Sequence, residues 1–136
     1  DNTVLNFMNK IIVEVSIGEL FDKISILEIK QEKIKDPEKL KYITDEHSIL
    51  KNQLAKNIKN DEKLDKLFQS LKEINSKLWV IEDDKRQCEK EKDFGEKFIK
   101  LSRDVHFLND DRAKIKLDIN NHTGSKIKEI KEYTNY

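Results

Sequence analysis

Apolar residues along this chain recur at spacings of three and four, the pattern of helices that bury one face. The clearest stretch is Leu64, Leu67, Leu71, Ile74, Leu78, Ile81, Lys85 and Cys88, a heptad seam that stays apolar until Lys85. Asp93-Phe94-Gly95-Glu96 reads as a new helix start with another capping box. Phe98, Leu101, Val105, Leu108, Arg112, Ile115, Ile119 and His122 then repeat the spacing. Gly124 suits the left-handed position that ends a helix.

The first half of the chain reads the same way. Ser16-Ile17-Gly18-Glu19 is a capping box, with the serine on the N3 amide and the glutamate reaching back. Leu20, Ile24, Leu27 and Ile34 carry helix 1 to about Lys35. At Asp36-Pro37 one helix stops and the next starts, because aspartate caps and proline fits the first helical position. Leu40, Ile43, His47, Leu50, Leu54 and Ile58 mark helix 2. Asn57 to Asn60 loosen it, and Asp61 caps helix 3. Residues 11–15 are mostly β-branched and read as an extended lead-in. Residues 125–136 are expected to add a short frayed helix with Ile127, Ile130 and Tyr133 on one face.

The fold expected is all-α: two antiparallel helical hairpins, a short one over 17–59 and a long one over 61–123. They would form a four-helix bundle or an elongated coiled-coil-like hairpin, as a single domain over 8–136. Met8 is the only methionine and is taken as the natural start, with residues 1–7 upstream or appended. Helices of this length reach about 45 Å at 1.5 Å per residue. The long hairpin is therefore expected to project or to pair with a second copy, which makes a homodimer the expected state.

Composition narrows the functional classes. Charged residues make up 40% of the chain, yet 27 basic and 27 acidic residues cancel. That balance disfavours a nucleic-acid binder, which carries a basic excess. The longest purely apolar run is Leu78-Trp79-Val80-Ile81, far short of a membrane span. Cys88, the only cysteine, fits a reducing, cytoplasmic setting. No metal-ligand spacing, phosphate loop or nucleophile motif occurs, so no metal and no cofactor are expected. Lysine dominates the basic residues, as an AT-rich coding background would give. Arg86, Arg103 and Arg112 stand out, since only arginine offers a planar bidentate fork.

Two polar clusters could carry chemistry. In helix 3, Glu82, Asp83, Arg86 and Glu89 follow Trp79, and Glu82–Arg86 is an (i, i+4) pair in the favourable order. The cluster reads either as a polar site with an aromatic wall or as a solvated face. In helix 4, Arg112 interrupts an apolar seam, with Asn109 and Lys116 on its face and Asp110 beside them. A buried guanidinium needs a counter-charge, an anion or an outlet to water. Arg112 therefore reads either as an anion holder or as a structural ion. Hairpin register places it opposite Ile74 and Asn75, so its partner should come from helix 1, helix 2 or a second subunit. Glu28 is one candidate. Arg103 is better placed to meet Glu82 and Asp83. Glu19 is accounted for by the cap. His47 falls on an apolar stripe and reads as a hydrogen-bonded core histidine.

Three strings occur in order: Ser16-Ile17-Gly18-Glu19-Leu20 with Asp22 and Ile26-Leu27-Glu28-Ile29-Lys30; Leu78-Trp79 with Ile81-Glu82-Asp83, Arg86, Glu89 and Asp93-Phe94-Gly95; and Asn109-Asp110 with Arg112-Ala113, Lys116 and Ile119-Asn120. Together they resemble a family of small bacterial proteins catalogued only as a domain of unknown function. The likeness runs over about residues 11–133. It departs from that family's pattern at Ile17, where proline is expected, and at His106, where an aromatic residue is expected. The resemblance implies that the polar strings are more than random surface charge, and it supplies no activity.

The leading expectation is a non-enzymatic interaction or scaffold module, dimeric, with a polar groove containing Arg112 and Arg86. The alternative is an enzyme or binder of an anionic metabolite such as a phosphosugar, nucleotide or carboxylate. Arg112, Asn109 and Lys116 would then hold the anion. Arg86, Glu82, Asp83, Asp110 and Trp79 would complete the site, with Glu82 the candidate acid–base.

Overall fold

The computed structural model describes residues 9–136. The expectations for Met8 and residues 1–7 lie outside the described residues. Four helices follow one another: α1 (Ile17–Lys33), α2 (Pro37–Asn57), α3 (Glu62–Glu91) and α4 (Glu96–Thr123). These are the helices that the three-four spacing predicts. The main difference at an end is α1, which stops at Lys33 with Ile34 as its extended C-cap.

The helix α1 is the centre of the bundle. Phe21, Asp22, Ile24, Ser25, Leu27 and Ile29 are all buried. Their positions run round most of its circumference, as expected for a helix with neighbours on several sides. It packs on α2, α3 and α4, while α2 lies closely against α1 alone. No residue of α2 is fully buried. The core joins Phe21, Leu64, Leu71 and Ile119, with Ile17, Leu54, Ile58 and Phe68 packed around them. Phe21 and Phe68 meet edge to face at 6.0 Å.

The long hairpin outreaches α1. Its outer half is held by its own two helices, with Cys88 fully buried between them and Lys85 lying 6.0 Å over the Phe98 ring. The turn puts Lys92 in the left-handed region, at φ 57°. The box expected at Asp93 does not form. Gly95 is the N-cap of α4 and has no side-chain cap; the Asp93 carboxylate instead accepts from the Gly95 N–H at 3.1 Å.

Residues 11–15 lead into α1 without helix, and among the described residues there is no strand. One local expectation is corrected: residues 125–136 form no helix. Gly124 turns the chain at φ 68°, and the Ser125 hydroxyl donates to the Ile127 carbonyl at 2.7 Å, a local bond that competes with helix formation. The tail then returns along α4. Glu129 meets Lys116 at 3.1 Å, and the Tyr136 hydroxyl donates to Asp110 while its ring packs against His106 and Phe107.

Candidate functional site

The site is built outward from the start of α1, where helix geometry leaves backbone N–H groups without partners. Each is met by a different side chain. The Ile17 N–H donates to Ser125 Oγ at 3.2 Å, Gly18 to Asn120 Oδ1 at 2.6 Å, and Glu19 to Ser16 Oγ at 3.0 Å. So the serine half of the predicted capping box holds, and the glutamate half does not. Glu19 instead accepts from Lys116 Nζ at 2.7 Å. Gly18 allows this arrangement. A Cβ there would lie 2.4 Å from the Lys116 carbonyl oxygen and 2.9 Å from Asn120 Oδ1, so only glycine lets α4 come this close.

One turn further along α1 the contact between the helices becomes ionic. Asp22 Oδ1 accepts from Arg112 Nε at 2.9 Å, and Asp22 Oδ2 accepts from Arg112 Nη2, closing a two-armed pair. The Asp22 side chain is only 2% exposed, whereas that of Arg112 is 29% exposed. Asn75 of α3 also donates to Asp22 Oδ1, at 2.9 Å, and to Ser25 Oγ at 2.8 Å. The Ser25 hydroxyl donates to the Asp22 carbonyl at 2.8 Å. Asp22 is thus the counter-charge that the misplaced seam arginine demands. Glu28, the candidate on the sequence, faces the other way, toward His47 at 3.1 Å and Lys72 at 3.5 Å.

Burial pushes the Asp22 carboxyl up, but the Arg112 and Asn75 hydrogen bonds and the Arg112 and Lys116 charges outweigh it and hold it below the usual carboxylate range. The Asp22 hydrogen bond raises Arg112, against the opposing pull of burial. For Lys116 burial lowers the ammonium, and the hydrogen bonds to Glu19 and Glu129 more than reverse it. All three groups are therefore charged at neutral pH.

Beside this network lies an open cleft of about 400 Å³, between the second half of α1 and the middle of α3. Its apolar wall is Ile26, Ile29, Leu78 and Trp79, and its polar groups are Asn75, Glu82, Asp83, Arg86 and Arg112. The structure therefore gathers Trp79, Glu82, Asp83, Arg86 and Arg112 at one place. It sends the others elsewhere. Asn109 accepts a long 3.4 Å bond from Arg112 Nη1, Lys116 serves Glu19 and Glu129, and Asp110 meets the tail. The Glu82–Arg86 ion pair expected along α3 is not closed. Side-chain hydrogen bonds and ion pairs of this stretch join Gln87 to Glu91 and Lys92 to Glu89; among the described residues none involves the side chains of Glu82, Asp83 or Arg86. Arg103 is exposed and pairs with neither acid among the described residues.

On the sequence Asp22 appears only within the first string, with no role as counter-charge, although its position was informative. It stands between Phe21 and Ile24 on a face that the apolar pattern buries, and a buried aspartate calls for a cation just as Arg112 calls for an acid. Among the described residues no group of three His, Cys, Asp or Glu side chains could hold a metal ion. Among the described residues no helix is long and apolar enough to cross a membrane.

Comparison with known families places the chain. It belongs to the family of unknown function DUF6165, whose model matches residues 11–136. This is the kind of family that the three strings pointed to. Neither the curated proteins nor the solved structures gave a match.

Proposed function

We propose that this chain is a non-enzymatic binding module whose recognition site is the Trp79 cleft, and that the Arg112–Asp22 pair is the rigid wall behind it. The observation that supports this is the contrast in partners. Arg112 and Lys116 are committed to acids of this chain, while Glu82, Asp83 and Arg86 stand at the cleft with no such commitment among the described residues. Open polar groups converging beside an aromatic face are what a small-ligand site requires. A guanidinium whose two arms are held by an internal carboxylate has little left with which to clamp a phosphate. Hence the anion-holding trio of Arg112, Asn109 and Lys116 is the weaker reading. Among the described residues no nucleophile–base pair lines the cleft, which favours binding over catalysis.

The test is a chemical-shift map of the full chain against a library of small polar fragments. Fragments should perturb the backbone amides of residues 78–86 together with the Trp79 indole N–H. Perturbations gathered around Asn109 and Lys116 instead would favour the anion reading.

A second reading, a homodimer, is favoured by one surface. Val80, Ile81, Phe107 and Leu108 line an open apolar groove on the other side of the long hairpin, and Val80 and Phe107 are exposed. Lys77 and Asp104 flank it with opposite charges, which a two-fold axis would bring together. Sedimentation of wild type and Val80→Glu tests this: a dimer that the substitution dissociates supports it, and a monomeric wild type removes it.

A further inference from the structure

The cleft's polar groups share one chemical character. Asn75, Glu82, Asp83, Arg86 and Arg112 all end in flat heads with two or three hydrogen-bonding atoms side by side, and among the described residues no hydroxyl or ammonium lines the cleft. Carboxylates only accept and guanidiniums only donate. A ligand lying across them must therefore offer donors and acceptors at neighbouring atoms.

Charge narrows the choice. A multiply anionic ligand would meet Glu82 and Asp83, neither of them neutralised within the described chain, and the one free cation among the cleft's described residues is Arg86. A cationic ligand would meet Arg86 and the half-exposed edge of Arg112. Formal charges around the cleft, with Asp22 counted, leave a single negative charge. Such a surface neither attracts nor rejects strongly by net charge. Its other feature is an apolar plane, the Trp79 ring, continued by Ile26 and Ile29.

We infer that the cleft takes an uncharged polyhydroxylated ring, that is, a neutral sugar. Its C–H face lies on Trp79, and adjacent hydroxyls donate to Glu82 and Asp83 while accepting from Arg86. Each hydroxyl has one donor and two acceptor sites, so vicinal pairs match the alternation of carboxylate and guanidinium. A cleft of about 400 Å³ is at the small end of ligand sites, the size range of one or two sugar rings. This inference rests on the cleft being the recognition site.

Trp79 is the only tryptophan, so its fluorescence reports on the cleft without labelling. The full chain is titrated with glucose, galactose, mannose and N-acetylglucosamine, then with inorganic phosphate and with ethylguanidinium, each at low and high salt. At least one neutral sugar should give a saturable change whose affinity is the same at both salt concentrations, since an uncharged ligand is not screened. Glu82→Ala and Arg86→Ala should each weaken it about tenfold or more through lost charged hydrogen bonds. Both residues are exposed, and circular dichroism checks that the variants stay folded. A salt-sensitive response to phosphate or ethylguanidinium, with none to sugars, overturns the ligand class and leaves the cleft reading standing. Sugar binding that survives both substitutions overturns the proposal. Silence to every probe also overturns it; the fragment map then tells whether the cleft reading falls as well.

Discussion

The two halves of the long hairpin have similar sequence patterns and different surroundings. In the inner half, around Leu71, Asn75 and Ile119, α1 lies in the groove between α3 and α4, and apolar side chains share the interface with a closed polar network. In the outer half, around Cys88 and Phe98, α3 and α4 have only each other, and Phe94 and Ile99 are exposed. Heptad spacing alone does not separate the halves, because it records which face turns inward and not how many helices meet it. What separates them is the polar residue in the seam. Lys85 in the outer half reaches out over an aromatic ring, whereas Arg112 in the inner half is bound by a buried carboxylate. The inner half should therefore be intolerant of polar change, and the outer half tolerant.

The largest effect is expected at Asp22. Asp22→Ala leaves Arg112 facing a buried gap and should cost about 3 kcal/mol, the scale of a broken buried pair, measured by urea unfolding. A loss below about 0.5 kcal/mol, the range of neutral surface changes, would mean that the pair is not integral to the inner half.

Gly18→Ala comes next. Its Cβ would meet backbone rather than a flexible side chain, at 2.4 Å, so α1 and α4 must move apart. We expect about 2 kcal/mol of destabilisation, typical of overpacking, together with weakened protection of the Gly18 amide in hydrogen exchange. An unchanged stability would show that the close approach is loose.

Acid should weaken the inner half through Asp22. The Asp22 carboxyl titrates lower in the folded chain than in the unfolded chain. Its stabilising contribution is thus complete above the unfolded value of about 4 and is lost as pH falls through the folded value. Asp22→Asn should flatten the loss of stability below about pH 4. If wild type and variant lose stability in parallel there, the acid sensitivity belongs to other groups.

The smallest effect belongs to the hairpin turn. Lys92 holds a left-handed conformation at φ 57°, which costs a non-glycine residue on the order of 1 kcal/mol. Lys92→Gly should remove that strain and raise stability by up to about 1 kcal/mol, less what the glycine gains in unfolded-state freedom. A thermal melt of the variant checks it, and a drop in stability would contradict the reading of the turn.

Much of the fold was legible because periodicity and punctuation agreed. Asp36-Pro37, Asp61 and Gly124 each end or begin a helix as their chemistry predicts. The tail was misread because Ile127, Ile130 and Tyr133 have helical spacing, while the competing bonds of Ser125, Glu129 and Tyr136 depend on groups that spacing does not show. For the site, the sequence identified Arg112 as a charge in need of a partner and grouped Glu82, Asp83, Arg86 and Glu89 with Trp79 as one polar cluster. Pairing Asp22 with Arg112 required the antiparallel register of α1 against α4, and that register depends on the close approach at Gly18. A single apolar spacing pattern carries no information about which helices touch.

The most direct test of the account is a double-mutant cycle on Asp22 and Arg112, with unfolding free energies for Asp22→Leu, Arg112→Met and the pair together. If Arg112 is the structural wall of the cleft, each single change is costly and the double variant regains most of the loss, giving a coupling of roughly 2 kcal/mol or more. If the two losses simply add, Arg112 is not held by Asp22 in solution, its fork is free to meet a ligand, and the division between wall and cleft is wrong.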